Sequence, residues 1–170
     1  MAISSPSPVT SWHGYSDATY GFKISYPLGF QFQPLHGVAG TAIVRLYRAV
    51  DDCYASGYPP GQIELGVFAN DASTLAAWVQ KHSDVDCAGT NATAFIFGVS
   101  NTHSVTVDGR AAIAFDDKSS GCGGPASSGQ ETAFVLSPNY VFMVGWWTAG
   151  PDYAPTLRQI TSEMLGTFSA

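Results

Sequence analysis

Three cysteines, four histidines and two adjacent carboxylate pairs carry most of the chemistry available to this chain. Cys53, Cys87 and Cys122 are spaced 34 and 35 residues apart. No C-x-x-C pair is present, so structural zinc and thioredoxin-type redox chemistry are both poorly supported. An odd count allows one disulfide and one free thiol. His13, His36, His82 and His103 fall in different segments, so only the fold could assemble a metal site from them. Asp51-Asp52 and Asp116-Asp117 sit beside loops. Calcium needs several oxygen ligands, and both pairs read first as solvated loop ends. A Cys–His nucleophile pair has no local signature here. Asn91-Ala92-Thr93 matches a glycosylation acceptor, a pattern common by chance. There is no G-x-S-x-G, H-E-x-x-H, P-loop or G-x-G-x-x-G. The residues therefore indicate no enzyme, no cofactor and no metal.

The elements that must position these groups follow from hydrophobic periodicity. In YGFKISYPLGF, Phe22, Ile24 and Tyr26 alternate with Lys23 and Ser25, a strand with one buried face that stops at Pro27. TAIVRLYR (41–48) and QIELGVFA (62–69) are further strands. In STLAAWVQKH (73–82), Leu75, Trp78, Val79 and His82 keep helical spacing, with Asp71 or Ser73 as the cap. From Phe95 to Val107 the odd positions Phe95, Phe97, Val99, Val105 and Val107 share one face if the strand is unbroken. Asp108-Gly109 then signals a hairpin into RAAIAFD. Residues 118–129 read as a long flexible loop, and 131–147 as two strands around Ser137-Pro138-Asn139. The second of those is apolar on both sides, which requires layers above and below the sheet. PDYAPTLRQITSEMLGTF reads as a C-terminal helix with Tyr153, Leu157, Ile160 and Met164 in its stripe and Pro155 in its first turn.

At 170 residues the chain suits one domain. Residues 1–18 read as a Ser/Pro-containing linker or loosely docked arm, and 19–170 as the domain. Charged residues make up only 12% of the chain, against about 25% for an average soluble domain. The net charge is −6 and the pI about 4.8, with seven scattered Lys and Arg. That argues against nucleic acid, which needs clustered cations, and against electrostatic attachment to anionic lipid. No apolar run approaches the roughly 18 residues of a membrane span. The polar start MAISSPSPVTS reads as the tail of a linker. It predicts a secretion leader before residue 1, with a lipid-modified cysteine as the only membrane attachment.

The pattern Y-x-x-x-x-YGFKISYP-x-GF resembles the opening motif of the PsbP-like superfamily. The hairpin VTVDGRAAIAFD is similar to that family's central strand pair, and QITSEMLGTF to its final helix and short terminal strand. The helix at STLAAWVQKH falls where members place one. The resemblance covers about residues 15–169. It implies an α+β fold, an α/β/α sandwich around a central antiparallel sheet. It also implies a binding or assembly module without an established active site. The bacterial cell-envelope lipoprotein group fits best. The expectation is therefore a non-enzymatic, extracytoplasmic module whose partner is another envelope protein, with a small-molecule or glycan-binding module as the runner-up and a hydrolase third.

If the strands alternate in direction, the loops 49–61, 83–93, 118–129 and 149–152 return to one end of the sheet. That pole would gather Tyr54, Tyr58, Pro59, Pro60, Gly123, Gly124 and all three cysteines. A hairpin turning at Asp108-Gly109 pairs residues whose numbers sum to about 217 and sets residue 95 opposite 122. This favours a Cys87–Cys122 disulfide, with Cys53 as a competitor for either partner.

Overall fold

The segment Tyr140–Thr148 (β11) is apolar on both sides, and in the computed structural model it is the central strand of the sheet. The described residues are 11–35, 42–48, 61–84, 94–117, 128–148 and 153–170. Seven strands form the sheet in the order β3 (Phe30–Pro34), β4 (Ala42–Arg48), β5 (Gly61–Ala69), β11, β10 (Ser128–Ser137), β9 (Arg110–Asp117) and β8 (Ser100–Val107). Every neighbouring pair is antiparallel. One face carries the helix α2 (Ala154–Leu165) and the hairpin β1 (Trp12–Asp17)–β2 (Phe22–Pro27). The other carries α1 (Leu75–Lys81) and the short parallel pair β6 (Ser83–Asp84)–β7 (Ile96–Phe97). This is the expected sandwich.

Alternation along β11 divides the core in two. Phe142, Val144 and Trp146 pack beneath α2 with Phe22, Ile24, Leu46, Ile63, Leu65 and Phe134. Val141 and Met143 pack beneath α1 with Phe68, Trp78, Ile96 and Phe115. The stripe of α2 buries Leu157, Ile160 and Met164 as its spacing predicts, and adds Thr161. Past the helix, Phe168 closes the larger core and Ser169 bridges to Lys23.

Several readings of the sequence need correction. The part of the 1–18 arm that is described is not a loose linker: residues 12–17 pair in register with β2. Asp17 Oδ1 accepts the N–H groups of Thr19 and Tyr20, closing the turn, and Tyr15 donates to Asp17 Oδ2 at 2.9 Å. Burial, then that hydrogen bond, pushes the Tyr15 phenol up. The sequence reading passed over β3, whose polar alternate residues mark an edge strand. The cap of α1 is neither Asp71 nor Ser73 but Thr74, whose Oγ1 accepts from Ala77 N. Asp71 instead reaches the far end of that helix, 2.7 Å from Lys81 Nζ and 2.9 Å from His82 Nε2. Those partners, Lys81 first, hold its carboxyl down to about 2. Finally, the odd positions from Phe95 to Val107 do not share a face. Phe95 and Val99 pack under α1, whereas Val105 and Val107 lie in the α2 core. Gly98 and Asn101 have φ of 59° and 51°, and a bulge between Ser100 and His103 shifts the register. The 217-sum pairing therefore holds from Val107↔Arg110 only as far as His103↔Ala114. Residues 96–97 leave the sheet to pair with 83–84.

Candidate functional site

The pole proposed from the sequence (Tyr54, Tyr58, Pro59, Gly123 and Gly124) lies outside the described residues. So do Cys53, Cys87 and Cys122 with their disulfide candidate, and Asp51-Asp52, His36 and Asn91. What is described is the sheet end from which those segments depart. Gly61 pairs with Thr148, Thr148 with Ser128, and Gly129 with Asp117.

Just inside that end, on the α1 face, three acidic residues converge. Glu64, Gly145 and Glu131 are cross-strand neighbours on β5, β11 and β10, and Asp117 lies beyond on β9. Glu64 is paired with Arg45 at 2.7 Å. Glu131 and Asp117 are buried and hydrogen-bonded to each other. A Cβ added at Gly145 would lie 2.9 Å from Glu131 Cγ and 2.7 Å from Trp147, so the absence of a side chain there makes the space. Burial, then the Asp117 charge, pushes the Glu131 carboxyl well up. Burial also raises Asp117, opposed by hydrogen bonds from Glu131, the Phe97 N–H and the Trp147 side chain. Burial favours the protonated Glu131, which donates to Asp117, while Asp117 Oδ1 and Glu131 Oε2 have no hydrogen-bond partner among the described residues. Asp117 is therefore not the solvated loop end that its sequence neighbourhood suggests. Asp116 accepts from Asn101 Nδ2 at 2.6 Å. Among the described residues no group of three or more His, Cys, Asp or Glu could hold a metal. His13 packs at a tilt against Tyr26, His82 packs between Trp78 and Phe95, and His103 Nδ1 lies 2.8 Å from the Asn101 carbonyl.

The opposite face holds the better site. The hairpin β1–β2 reaches Phe32 on β3 and Phe142 on β11, and α2 packs chiefly on β11 and β5. The covering layer thus ends at the flank of α2, and β9 and β8 run on past it. The result is a cleft of about 400 Å³. Ala114, Thr132, Gln130 and Trp146 line it from the sheet, Arg158, Thr161, Ser162 and Leu165 from α2, and His103, Val105 and Asp108 from the edge strand and its turn. Arg158 lies over the Trp146 ring, 6.0 Å from its centroid, a cation–π distance. Thr161 Oγ1 is buried and has no hydrogen-bond partner among the described residues. Arg158 and Ser162 also border a shallower depression of about 480 Å³ with Ala154, Pro155 and Gln159.

The sequence reading missed this cleft. One signal was present: Ala112 and Ala114 put two small side chains at alternate positions of a buried strand, where a filled core would carry large ones. Arg158, the one cation of a helix whose other charge is Glu163, was the other. Neither shows which flank of the sheet α2 leaves bare.

No family model matches the sequence, and none of the curated proteins matches it. Solved structures do match in fold. The solution structure of cyanobacterial PsbP (CyanoP) from Synechocystis superposes with a TM-score of 0.60 at 12% identity, covering 94% of this chain and 92% of that one. The crystal structure of the Saccharomyces cerevisiae Ran-binding protein Mog1p gives 0.55 at 13% identity, covering 94% and 95%. The chain therefore has the PsbP-like fold, which many unrelated activities can share. Among the described residues no helix is long and apolar enough to cross a membrane.

Proposed function

We propose that this chain is a non-enzymatic binding module that takes a small molecule into the cleft between α2 and the β8 flank of the sheet. The observation that carries the proposal is a partly polar cleft in which the buried Thr161 hydroxyl finds no partner among the described residues. Its volume falls within the roughly 300–1,000 Å³ of small-molecule sites, and its polar groups converge on an apolar floor. Within the lining, His103 Nδ1 is engaged by the Asn101 backbone carbonyl at 2.8 Å. A flat apolar patch for an envelope-protein partner is less well supported. The large exposed apolar side chains among the described residues are Leu28, Val135 and Tyr140. Leu28 sits at one end of the sheet, and the other two lie at the opposite end on different faces. The binding role agrees with the fold's occurrence in a Ran-binding protein.

A fragment screen followed by ¹⁵N NMR tests this reading. Binders are expected to shift the Trp146 indole, the Gln130 side chain and the Leu165 amide together. Ser162→Trp, at an exposed position on the rim, is expected to abolish those shifts without changing the fold. Shifts confined to other surfaces, or no binder at all, would refute it.

The proposal also places the domain outside the cytoplasm, tethered through the segment that precedes it, as the Ser/Pro-rich start and low charge content suggest. Fractionation of the full-length protein is expected to find it with the cell envelope. A cytoplasmic location would rule out the tether and leave the cleft standing.

A further inference from the structure

The geometry points to a small organic anion as the ligand of the cleft, with its carboxylate or phosphate group on the Arg158 guanidinium and its apolar body over Val105, Ala114 and Trp146. This rests on the cleft being the binding site. The chain is acidic, with a net charge of −6, and its described cations are mostly engaged. Arg45 pairs with Glu64, Lys81 with Asp71, and Arg110 approaches Asp108 while donating to the Leu136 and Ala170 carbonyls. Arg158 has no carboxylate within ion-pair distance among the described residues. Its contact with Trp146 holds the guanidinium at the cleft without consuming its N–H donors.

The neighbouring polar groups extend the same preference. Gln130, Thr161 and Ser162 each bring a donor to the lining, and among the described residues no hydrogen bond joins any two of them. Asp108 supplies the lining's one carboxylate, at the far rim, 3.9 Å from Arg110 Nε. A planar guanidinium with flanking hydroxyl and amide donors matches an oxyanion, which accepts several hydrogen bonds at once and can be held bidentately. The floor matches the remainder of the ligand. Trp146 and Ala114 are buried and Val105 is partly so, so an apolar body there displaces water from apolar surface.

Three probes of one shape separate the possibilities: benzoate, phenyl phosphate and neutral benzamide, titrated into the ¹⁵N-labelled chain and into Arg158→Met. Arg158 is exposed, so this variant keeps the fold and the stem of the side chain. At least one anion is expected to shift the Trp146 indole and Gln130 side-chain signals saturably, about tenfold or more tighter than benzamide, as a charge-assisted bond supplies. Arg158→Met is expected to erase that margin. Whichever anion binds tighter identifies the head group as carboxylate or phosphate. If benzamide binds as well as both anions and Arg158→Met changes nothing, the anion assignment is overturned while the cleft remains a binding site. If none of the probes, and no neutral fragment, moves those signals, both the assignment and the cleft reading fall.

Discussion

Phe142→Ala is expected to lower the stability of the fold by about 3–5 kcal/mol. Phe142 is fully buried at the middle of the central strand. Its ring centroid lies 4.9 Å from that of Phe22, 5.2 Å from Phe134 and 5.1 Å from Phe168. These four rings join the N-terminal hairpin, two sheet strands and the residue just past α2. Truncation therefore removes contacts to two separate parts of the covering layer and to the neighbouring strand, and no single side chain can relax into the void. Met143→Ala, one residue along and on the other face, is expected to cost about 2–5 kcal/mol, because it opens the second core under α1. Urea denaturation of both variants measures this. A variant that unfolds with the wild-type midpoint would mean that its side of the sheet is not packed, and the three-layer architecture would be wrong on that side.

Glu131→Gln is expected to stabilise the protein at neutral and alkaline pH. The Glu131 carboxyl is buried beside Asp117, with Glu64 as a more distant like charge, and burial above all raises its pKa. The unfolded chain titrates near the ordinary glutamate value of about 4.3. Between that value and the raised folded one, the native state holds a proton that the unfolded state has lost. The group's contribution to stability is thus fully present below about pH 4.3 and declines as pH rises through the folded pKa. Across the interval the loss is about 1.4 kcal/mol per pH unit. Asp117, raised by burial as well, acts in the same direction. Glutamine preserves the volume and gives Asp117 a permanent N–H donor, so the variant should lack the Glu131 part of this slope. Denaturation of both proteins at pH 5 and pH 8 is expected to show the variant gaining on the wild type as pH rises. A gap that is constant, or that shrinks at pH 8, would show that Glu131 is not held neutral in the fold.

Both helices, the long strands of the sheet and the layered class were legible in the sequence because they depend on local periodicity. Apolar residues on both sides of 140–147 required two covering layers, and the three-to-four-residue stripe of 153–164 required a helix. Asp108-Gly109, with φ of 49° and 72°, made its hairpin because that dipeptide tolerates the left-handed turn. Local signals could not show where periodicity breaks. A single positive-φ glycine at position 98 and the bulge after Ser100 turned one apparent strand into two segments on opposite faces. Docking energies decided the rest. Residues 12–17 are a strand because β2 offers them an edge and Tyr15 packs on Phe22 and Phe32, not because their own pattern demands it. Asp117 and Glu131 lie 14 positions apart and look like ordinary surface acids. The register of β9 on β10 makes them one buried pair. The cleft has the same origin. Arg158, Trp146, Thr161 and Ala114 come from three elements, and they meet only because α2 covers β5 and β11 and stops short of β8. A sequence specifies which faces must be buried. How far one layer overhangs another is set by the relative positions of whole elements, and that is where this protein's site arises.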